Sequence, residues 1–258
     1  MWHFPHLFIY PMNNLYTNHP GIYEMMYQTF INYEEESAYY GHKLKKYNAA
    51  SVVELGCGTG SLTSRLIKTG FDYTGLDLNK GMLEIAKTKN PGVEFIEADM
   101  RNFQLKGKKQ ACILAGRTIS YLMTNKDVLD SFNTINKNLQ NEGIVCFDNI
   151  NAAKFIPFIK NGKRIIHKAE FGGRKFQRES YWTVNVNENW TFNWDSVYFE
   201  EDEKGGLKKI IEDNSTVRCF TKDDLCLFLE LCNFSVIEIE DRPSYAFDTF
   251  VMVARKTR

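Results

Sequence analysis

The sequence has no excess of charge of either sign. Its 258 residues include 32 Lys and Arg and 32 Asp and Glu. A neutral chain has no overall field to attract a phosphate backbone or anionic lipid. We therefore expect a partner other than nucleic acid, although a local basic patch stays open.

Long apolar runs and paired cysteines are also missing. No apolar run approaches the roughly 18 residues that a membrane span needs, so no membrane partner is predicted. The 6 cysteines form no Cys-x-x-Cys pair, which predicts reduced thiols, no metal site and a cytoplasmic protein. Residues 1–20 lack the features of a secretion signal. We expect them to be a mobile leader, or a leader that was wrongly assigned because translation starts at Met12. A metal site formed by His3 and His6 is the less favoured alternative.

Apolar residues, 43% of the chain, suffice for a large core. Residues 21–44 have a helical pattern, and from residue 52 strands alternate with helices. We predict strands at 52–55, 73–78, 93–97, 111–115 and 143–147, and helices at 62–68, 80–89 and 126–139. This alternation indicates a parallel sheet that is covered on both faces.

From about residue 164 to 218 the pattern changes to long alternating strands with turn signals between them. A helix capped by Thr221 and two closing strands follow. The predicted fold class is therefore α/β: a Rossmann-like, doubly wound, mostly parallel seven-stranded sheet with an antiparallel strand pair at its end. We assign residues 21–160 and 219–258 to this core and residues 161–218 to an inserted antiparallel β lobe that covers the substrate site.

A glycine-rich turn joins the first strand to the next helix in the segment VVELGCGTG, residues 52–60. Such turns bind dinucleotides, nucleoside triphosphates or S-adenosylmethionine (SAM). The glycine spacing is G-x-G-x-G rather than the dinucleotide pattern G-x-G-x-x-G. Glu54 would repel a pyrophosphate but suits the cationic amino acid end of SAM.

Two further acids follow the next two strands. Asp77, in the segment GLDLN, can accept both ribose hydroxyls of an adenosine, which fits NAD and SAM equally. Asp99 and Met100, in EADM, supply an acceptor for the adenine amino group beside an apolar side chain. All three anchors fall at the carboxyl edge of the sheet, where open α/β folds bind ligands.

In this order and spacing, the three motifs resemble those of the class I SAM-dependent methyltransferases. The layout is similar to that of small-molecule N-methyltransferases such as glycine N-methyltransferase and the amino-sugar N,N-dimethyltransferases. The resemblance implies that the glycines pass beneath the methionine part of SAM, that Asp77 holds the ribose, and that Asp99 reads adenine. It implies this set of cofactor-binding residues: Tyr33, Glu54, Gly56, Cys57, Gly58, Gly60, Asp77, Leu78, Asp99, Met100 and Ala115.

The acceptor is predicted to be a small molecule, most simply an amine. The segment after the fourth strand lacks the Asn/Asp-Pro-Pro-Tyr sequence of enzymes that methylate nucleobases. The substrate-contact candidates are Tyr23, Tyr27, Ser120, Tyr121, Asn149 and Trp194. In-line methyl transfer requires alignment rather than a dedicated nucleophile, so the catalytic residue stays unknown, with Tyr23, Arg117, Asp148 and His167 as candidates.

Each assignment has a structural alternative. Tyrosines at helical spacing are commonly core residues, and a strand histidine commonly makes an ordinary hydrogen bond. Trp190, Phe192, Trp194 and Tyr198 are predicted to share one strand face, either as packing or as an acceptor-stacking surface. An NAD-dependent oxidoreductase and a SAM-binding protein without catalysis are the alternative functions, and a homodimer stays open.

Overall fold

The computed structural model describes residues 14–159, 164–185, 189–243 and 247–257. Residues 1–13, with His3 and His6, lie outside the described residues. Helix α1 (Asn14–Asn18) and helix α2 (Pro20–Phe30) begin the described chain. Leu15 is buried and packs in a cluster with Tyr27 and Phe176. Assigning residues 14–20 to a mobile leader was therefore wrong, because they contribute to a hydrophobic cluster.

The central sheet has seven strands in the order β10-β11-β5-β4-β1-β2-β3. Five parallel strands form its larger part, and the last two run antiparallel. The strands are β1 (Ser51–Leu55), β2 (Asp72–Asp77), β3 (Glu94–Glu97), β4 (Lys109–Leu114), β5 (Leu139–Ile150), β10 (Phe234–Pro243) and β11 (Asp248–Lys256). The predicted fold class is confirmed.

Helices cover both faces because neighbouring strand residues point to opposite sides. Val53 packs in one cluster with α6 (Asn125–Asn138) and α8 (Lys222–Leu231). Val52 packs in another with α3 (Tyr33–Lys46) and α4 (Thr63–Leu66). Helix α5 (Lys80–Lys89) lies beside β2 and β3. Thr221 caps α8 through a capping box with Asp224, as the sequence predicts.

Helix α7 (Ala152–Ile159) leads into a second, four-stranded antiparallel sheet. Its strands are β6 (Arg164–Phe171), β7 (Arg174–Asn185), β8 (Thr191–Glu201) and β9 (Leu207–Arg218). One face of this lobe packs on α1 and α2 through Phe176 and Tyr198. The lobe also packs on α7, through Trp182 and Phe192. The lobe is therefore fixed against the elements that adjoin the glycine turn.

The predicted aromatic face of the lobe needs one correction. Trp190 lies in a turn with φ of 57° and is 46% exposed, so it does not share the face of β8. Phe192 and Tyr198 are buried in the clusters just described, which favours packing for these two. Trp194 is partly buried and packs against the cluster that contains Phe192.

Candidate functional site

The glycine turn after β1 depends on backbone geometry that other residues rarely adopt. Gly56, Gly58 and Gly60 all have positive φ, at 68°, 54° and 71°. A Cβ on Gly56 would lie 2.6 Å from Cγ2 of Thr118, and one on Gly60 would lie 2.7 Å from Nδ2 of Asn90. The turn therefore requires glycine and keeps side chains out of the space above it.

An outer cavity of about 340 Å³ opens over this turn. Its walls come from α2, α3, the glycine turn and the carboxyl ends of β4 and β5. Nine of the predicted site residues line it: Tyr23, Tyr33, Glu54, Gly56, Cys57, Gly58, Ala115, Arg117 and Asp148. The sheet edge that the sequence predicts as a binding site therefore carries a cavity.

Glu54 is buried in the wall of this cavity, with 3% of its surface exposed. Its carboxylate accepts hydrogen bonds from the hydroxyls of Thr63, at 3.0 Å, and Tyr73, at 2.9 Å. Burial raises the pKa of Glu54 to about 8, although these two hydrogen bonds act in the opposite direction. A cationic group bound beside Glu54 would favour its ionised form.

Asp77 ends β2 and supports the glycine turn. Its carboxylate accepts the backbone N–H of Gly58 at 2.9 Å and that of Asn79 at 2.8 Å. Burial raises the pKa of Asp77. The next residue, Leu78, leaves 51% of its surface exposed, so it presents an uncovered apolar surface beside this carboxylate. Neither residue lines the outer cavity.

Asp99 is held by an arginine two residues later. The guanidinium of Arg101 contacts both carboxylate oxygens, with the shortest distance at 2.6 Å. Burial acts to raise the pKa of Asp99, but the hydrogen bonds and charge of Arg101 outweigh it and lower the value. Met100 packs against the larger core cluster. Both lie outside the outer cavity, as does Gly60.

Arg117 and Asp148 meet where β4 and β5 end. Arg117 has φ of 66°, a strained conformation for a residue with a side chain. Its backbone N–H donates to Oδ1 of Asp148 at 2.7 Å, and its guanidinium lies 4.9 Å from the ring centroid of Phe247. Burial raises the pKa of Asp148 to about 6 against the opposing charge of Arg117.

A smaller inner chamber of about 50 Å³ adjoins the outer cavity, and Tyr23, Ile31, Gly116 and Arg117 line both spaces. Its walls are largely aromatic and come from α1, α2, the 3-10 helix Thr118–Tyr121, β8 and the residue before β11. The hydroxyls of Tyr16 and Tyr121 lie 2.8 Å apart, and the rings of Tyr23 and Tyr27 stack at 4.1 Å. The remaining predicted members of its lining are Ser120 and Trp194.

Two predicted site residues lie elsewhere. Asn149 is fully buried in the sheet, where its amide donates to the carbonyl of Phe250 at 3.0 Å. His167 lies on β6 with Nδ1 at 3.2 Å from the guanidinium of Arg178. Burial, with a contribution from Arg178, lowers the pKa of His167 to about 4. Neither lines the outer cavity or the inner chamber, so the structure does not bring these two residues together with the others.

Sequence reasoning missed several residues that form the site. Tyr16 was assigned to the leader, and Phe247 to a strand without a site role, yet both line the inner chamber. Arg242 lines the outer cavity and makes a bidentate ion pair with Glu36, at 2.8 and 2.9 Å. No local pattern marks these positions, because each reaches the site from a distant element.

Helix α2 is also tied to the glycine turn by polar contacts. The Glu24 carboxylate accepts a hydrogen bond from the hydroxyl of Thr59. The same carboxylate pairs with Nζ of Lys89 at 2.6 Å. These contacts fix α2 beside the glycine turn. They hold Tyr23, which directly precedes Glu24, at the junction of the outer cavity and the inner chamber.

Comparison with known proteins agrees with this geometry. Residues 52–143 match a family described as "Methyltransferase domain". The fold resembles DesVI of Streptomyces venezuelae, with a TM-score of 0.79, 20% identity, and coverage of 92% of this chain and 98% of that one. It also resembles CalS10, an amino pentose methyltransferase from Micromonospora echinaspora, with a TM-score of 0.75, 20% identity, and coverage of 88% and 92%. At these identities the likeness concerns the fold.

Curated relatives match over part of this chain. The YqeM protein of Bacillus subtilis is 35% identical over 101 residues, or 38% of this chain and 41% of that protein. Its name describes a methyltransferase and states no substrate. The dTDP-3-amino-3,4,6-trideoxy-alpha-D-glucopyranose N,N-dimethyltransferase of Streptomyces venezuelae is 29% identical over 97 residues, or 38% and 41%. The match thus spans less than half the length of either relative.

The match over residues 52–143 and the fold together make this core similar to SAM-dependent methyltransferases. In the part of the chain that the structure describes, no helix is long and apolar enough to cross a membrane. Across those same residues, no three His, Cys, Asp or Glu side chains are grouped to hold a metal ion.

Proposed function

We propose that this protein transfers a methyl group from SAM to a small-molecule amine. The observation that carries the proposal is the continuity of the site. The outer cavity lies on the glycine turn, and the aromatic inner chamber opens from it through walls that the two share. A methyl donor and an acceptor can therefore meet at one junction, beside Tyr23 and Arg117.

The residues of the outer cavity fit the amino acid end of SAM. The glycine turn leaves room for close backbone approach, and Glu54 offers a buried carboxyl that an ammonium would ionise. Asp77 retains acceptor capacity for a ribose, and the exposed Leu78 offers an apolar surface for adenine. Asp99 would accept a hydrogen bond from the adenine amino group, through a carboxylate lone pair that Arg101 does not occupy. When bound, SAM supplies an electrophilic methyl group for in-line displacement.

The protein's own contribution is alignment and removal of a proton. Alignment in a dry site supplies roughly 7 to 11 kcal/mol toward such reactions. An amine that arrives as an ammonium must lose its proton before attack. Asp148 is the best-placed acceptor for that proton, since it lines the outer cavity beside Arg117 and its pKa of about 6 keeps it ionised near neutral pH.

Nitrogen as the acceptor atom is supported by two independent observations. Solved structures of similar fold include the amino pentose methyltransferase CalS10 and a sugar N-methyltransferase, KedS8. Tyr23 lines both spaces, and the face of its ring attracts a cationic amine at their junction.

Titration with SAM, S-adenosylhomocysteine and NADH tests the cofactor part of the proposal. We expect both sulfur ligands to bind and NADH not to bind. Tight binding of NADH without binding of SAM would instead favour an oxidoreductase. Incubation with methyl-labelled SAM and a panel of amines tests catalysis, and SAM binding without transfer to any of them would favour a binding protein without activity.

A further inference from the structure

Two residues that line the inner chamber carry a buried polar atom with no hydrogen-bond partner. One is the hydroxyl oxygen of Ser120, a residue with no exposed surface, and the other is the indole Nε1 of Trp194. Both residues line the chamber, Ser120 from the 3-10 helix after Arg117 and Trp194 from β8 of the lobe. Two separate parts of the fold therefore bring polar groups to one small aromatic space.

Such atoms are unfavourable in a protein interior unless something binds them. A buried donor without a partner destabilises the fold, whereas phenylalanine or alanine at the same positions would avoid that cost. The chamber volume of about 50 Å³ has room for a few water-sized groups. A ligand that inserts a polar group here would bring a hydrogen-bond partner to the residues that carry these atoms.

The chemistry of the two atoms restricts that polar group. An indole N–H can only donate a hydrogen bond, whereas a serine hydroxyl can donate and accept. The polar group must therefore accept a hydrogen bond from the indole N–H of Trp194. A hydroxyl meets this requirement and can also donate a hydrogen bond to Ser120. A primary ammonium, which has no lone pair, cannot fill this role.

The charge of the chamber indicates a neutral group. None of the described residues that line it is a carboxylate, and its one cation is Arg117. The charge of Arg117 is opposed by Asp148, which lines only the outer cavity. A carboxylate or phosphate on the acceptor would find no uncompensated cation in the chamber.

We propose that the acceptor is a hydroxylated amine whose hydroxyl-bearing edge enters the inner chamber. Trp194 and Ser120 read that hydroxyl, and the amine stays at the junction beside Tyr23, where Asp148 faces it from the outer cavity. This inference rests on the proposed methyl transfer and adds the specificity-determining residues to it.

The first experiment measures binding. Protein labelled with nitrogen-15 and saturated with S-adenosylhomocysteine is titrated with trans-2-aminocyclohexanol or with cyclohexylamine, two amines that differ by one hydroxyl. The Trp194→Phe variant assigns the indole signal of Trp194 by its loss. We expect aminocyclohexanol to shift this signal and cyclohexylamine to leave it nearly unchanged.

The second experiment measures kcat/KM for the same two amines. We expect a preference of about tenfold for the amino alcohol, the usual effect of one or two buried hydrogen bonds. Trp194→Phe and Ser120→Ala should each reduce it severalfold. The matched controls are Trp182→Phe and Ser131→Ala, whose buried polar atoms also lack partners but lie outside the chamber. These should keep the preference.

The outcomes separate this inference from the proposed function. Failure of SAM or S-adenosylhomocysteine to bind overturns the proposed function itself. If the cofactor binds but aminocyclohexanol leaves the Trp194 signal unmoved, the inference is overturned and the proposed function stands. Equal loss of preference in the control variants would also overturn it, because the effect would then come from packing. Where turnover is too slow to measure, the binding experiment decides.

Discussion

Glu54 should release a proton when SAM binds. In the ligand-free protein, burial raises the pKa of this carboxyl from 4.5 to about 8, so it is largely protonated at neutral pH. An ammonium placed beside it would favour the carboxylate and return the pKa toward its ordinary range. The decisive perturbation is Glu54→Gln, which keeps an oxygen to accept from Thr63 and Tyr73 but cannot titrate.

The expected magnitude follows from the pKa. At pH 7 a group with a pKa of about 8 carries about 0.9 proton, so binding should release about 0.9 proton per SAM. The apparent affinity should then rise about eightfold per pH unit near pH 7. Asp148, with a pKa of about 6, would contribute only about 0.1 proton at that pH.

Calorimetry at pH 7 in two buffers of different ionisation enthalpy measures the number of protons released. The Glu54→Gln variant should release almost none and should bind SAM with an affinity that varies little with pH. Asp77 and Asp148 are unchanged in this variant, so the difference from the natural protein isolates Glu54. Equal proton release in the two proteins would refute the pairing of Glu54 with the ammonium.

The same pKa determines how stability depends on pH. Between pH 4.5 and about 8 the native state binds more protons at Glu54 than the unfolded state does. The free energy of unfolding of the ligand-free protein should therefore fall as pH rises through this window. Glu54→Gln should flatten this slope in chemical denaturation at a series of pH values, and an unaltered slope would contradict the burial argument.

Asp77→Ala should weaken SAM binding by about 1.5 to 3 kcal/mol and also lower the melting temperature, since Gly58 loses an acceptor for its backbone N–H. Asp72→Ala, on the same strand but largely exposed, is the control that should do neither, and an unchanged affinity in Asp77→Ala would remove Asp77 from the site. Asp148→Asn should abolish the rise in kcat/KM through about pH 6 while SAM affinity changes little. His167→Gln should leave the pH dependence of kcat/KM intact, because His167 lines neither the outer cavity nor the inner chamber. A pH dependence that changes in His167→Gln and not in Asp148→Asn would assign the proton acceptor to His167 instead.

The cofactor half of the site could be predicted from the sequence because its signals are local. The glycine turn, Asp77 and Asp99 each follow a short apolar strand, and parallel strands bring their carboxyl ends to one edge. The strands were found within a few residues of their observed bounds. Side-chain contacts add detail, such as the pairing of Asp99 with Arg101, without changing which edge of the sheet carries the cavity.

The inner chamber could be predicted only in part. Tyr16, Ser120, Trp194 and Phe247 come from four distant parts of the chain and meet only after the lobe packs on α1 and α2. A tyrosine on a short helix gives the same local pattern whether it fills a core or lines a chamber. The composition of the lobe indicated its packing role, and Trp194 both packs against a lobe cluster and lines the inner chamber.

Asp148 and Asn149 show how the length of a strand changes the expected positions of its side chains. With β5 predicted to end at residue 147, both residues belong to a loop, where either side chain could turn toward the ligand. In the structure β5 continues to Ile150 because it pairs with β11, with Val251 opposite Asp148 and Phe250 opposite Asn149. Neighbouring residues of a strand point to opposite faces. Since Asp148 lines the outer cavity, Asn149 must point away from it, and its buried amide bonds to Phe250 instead.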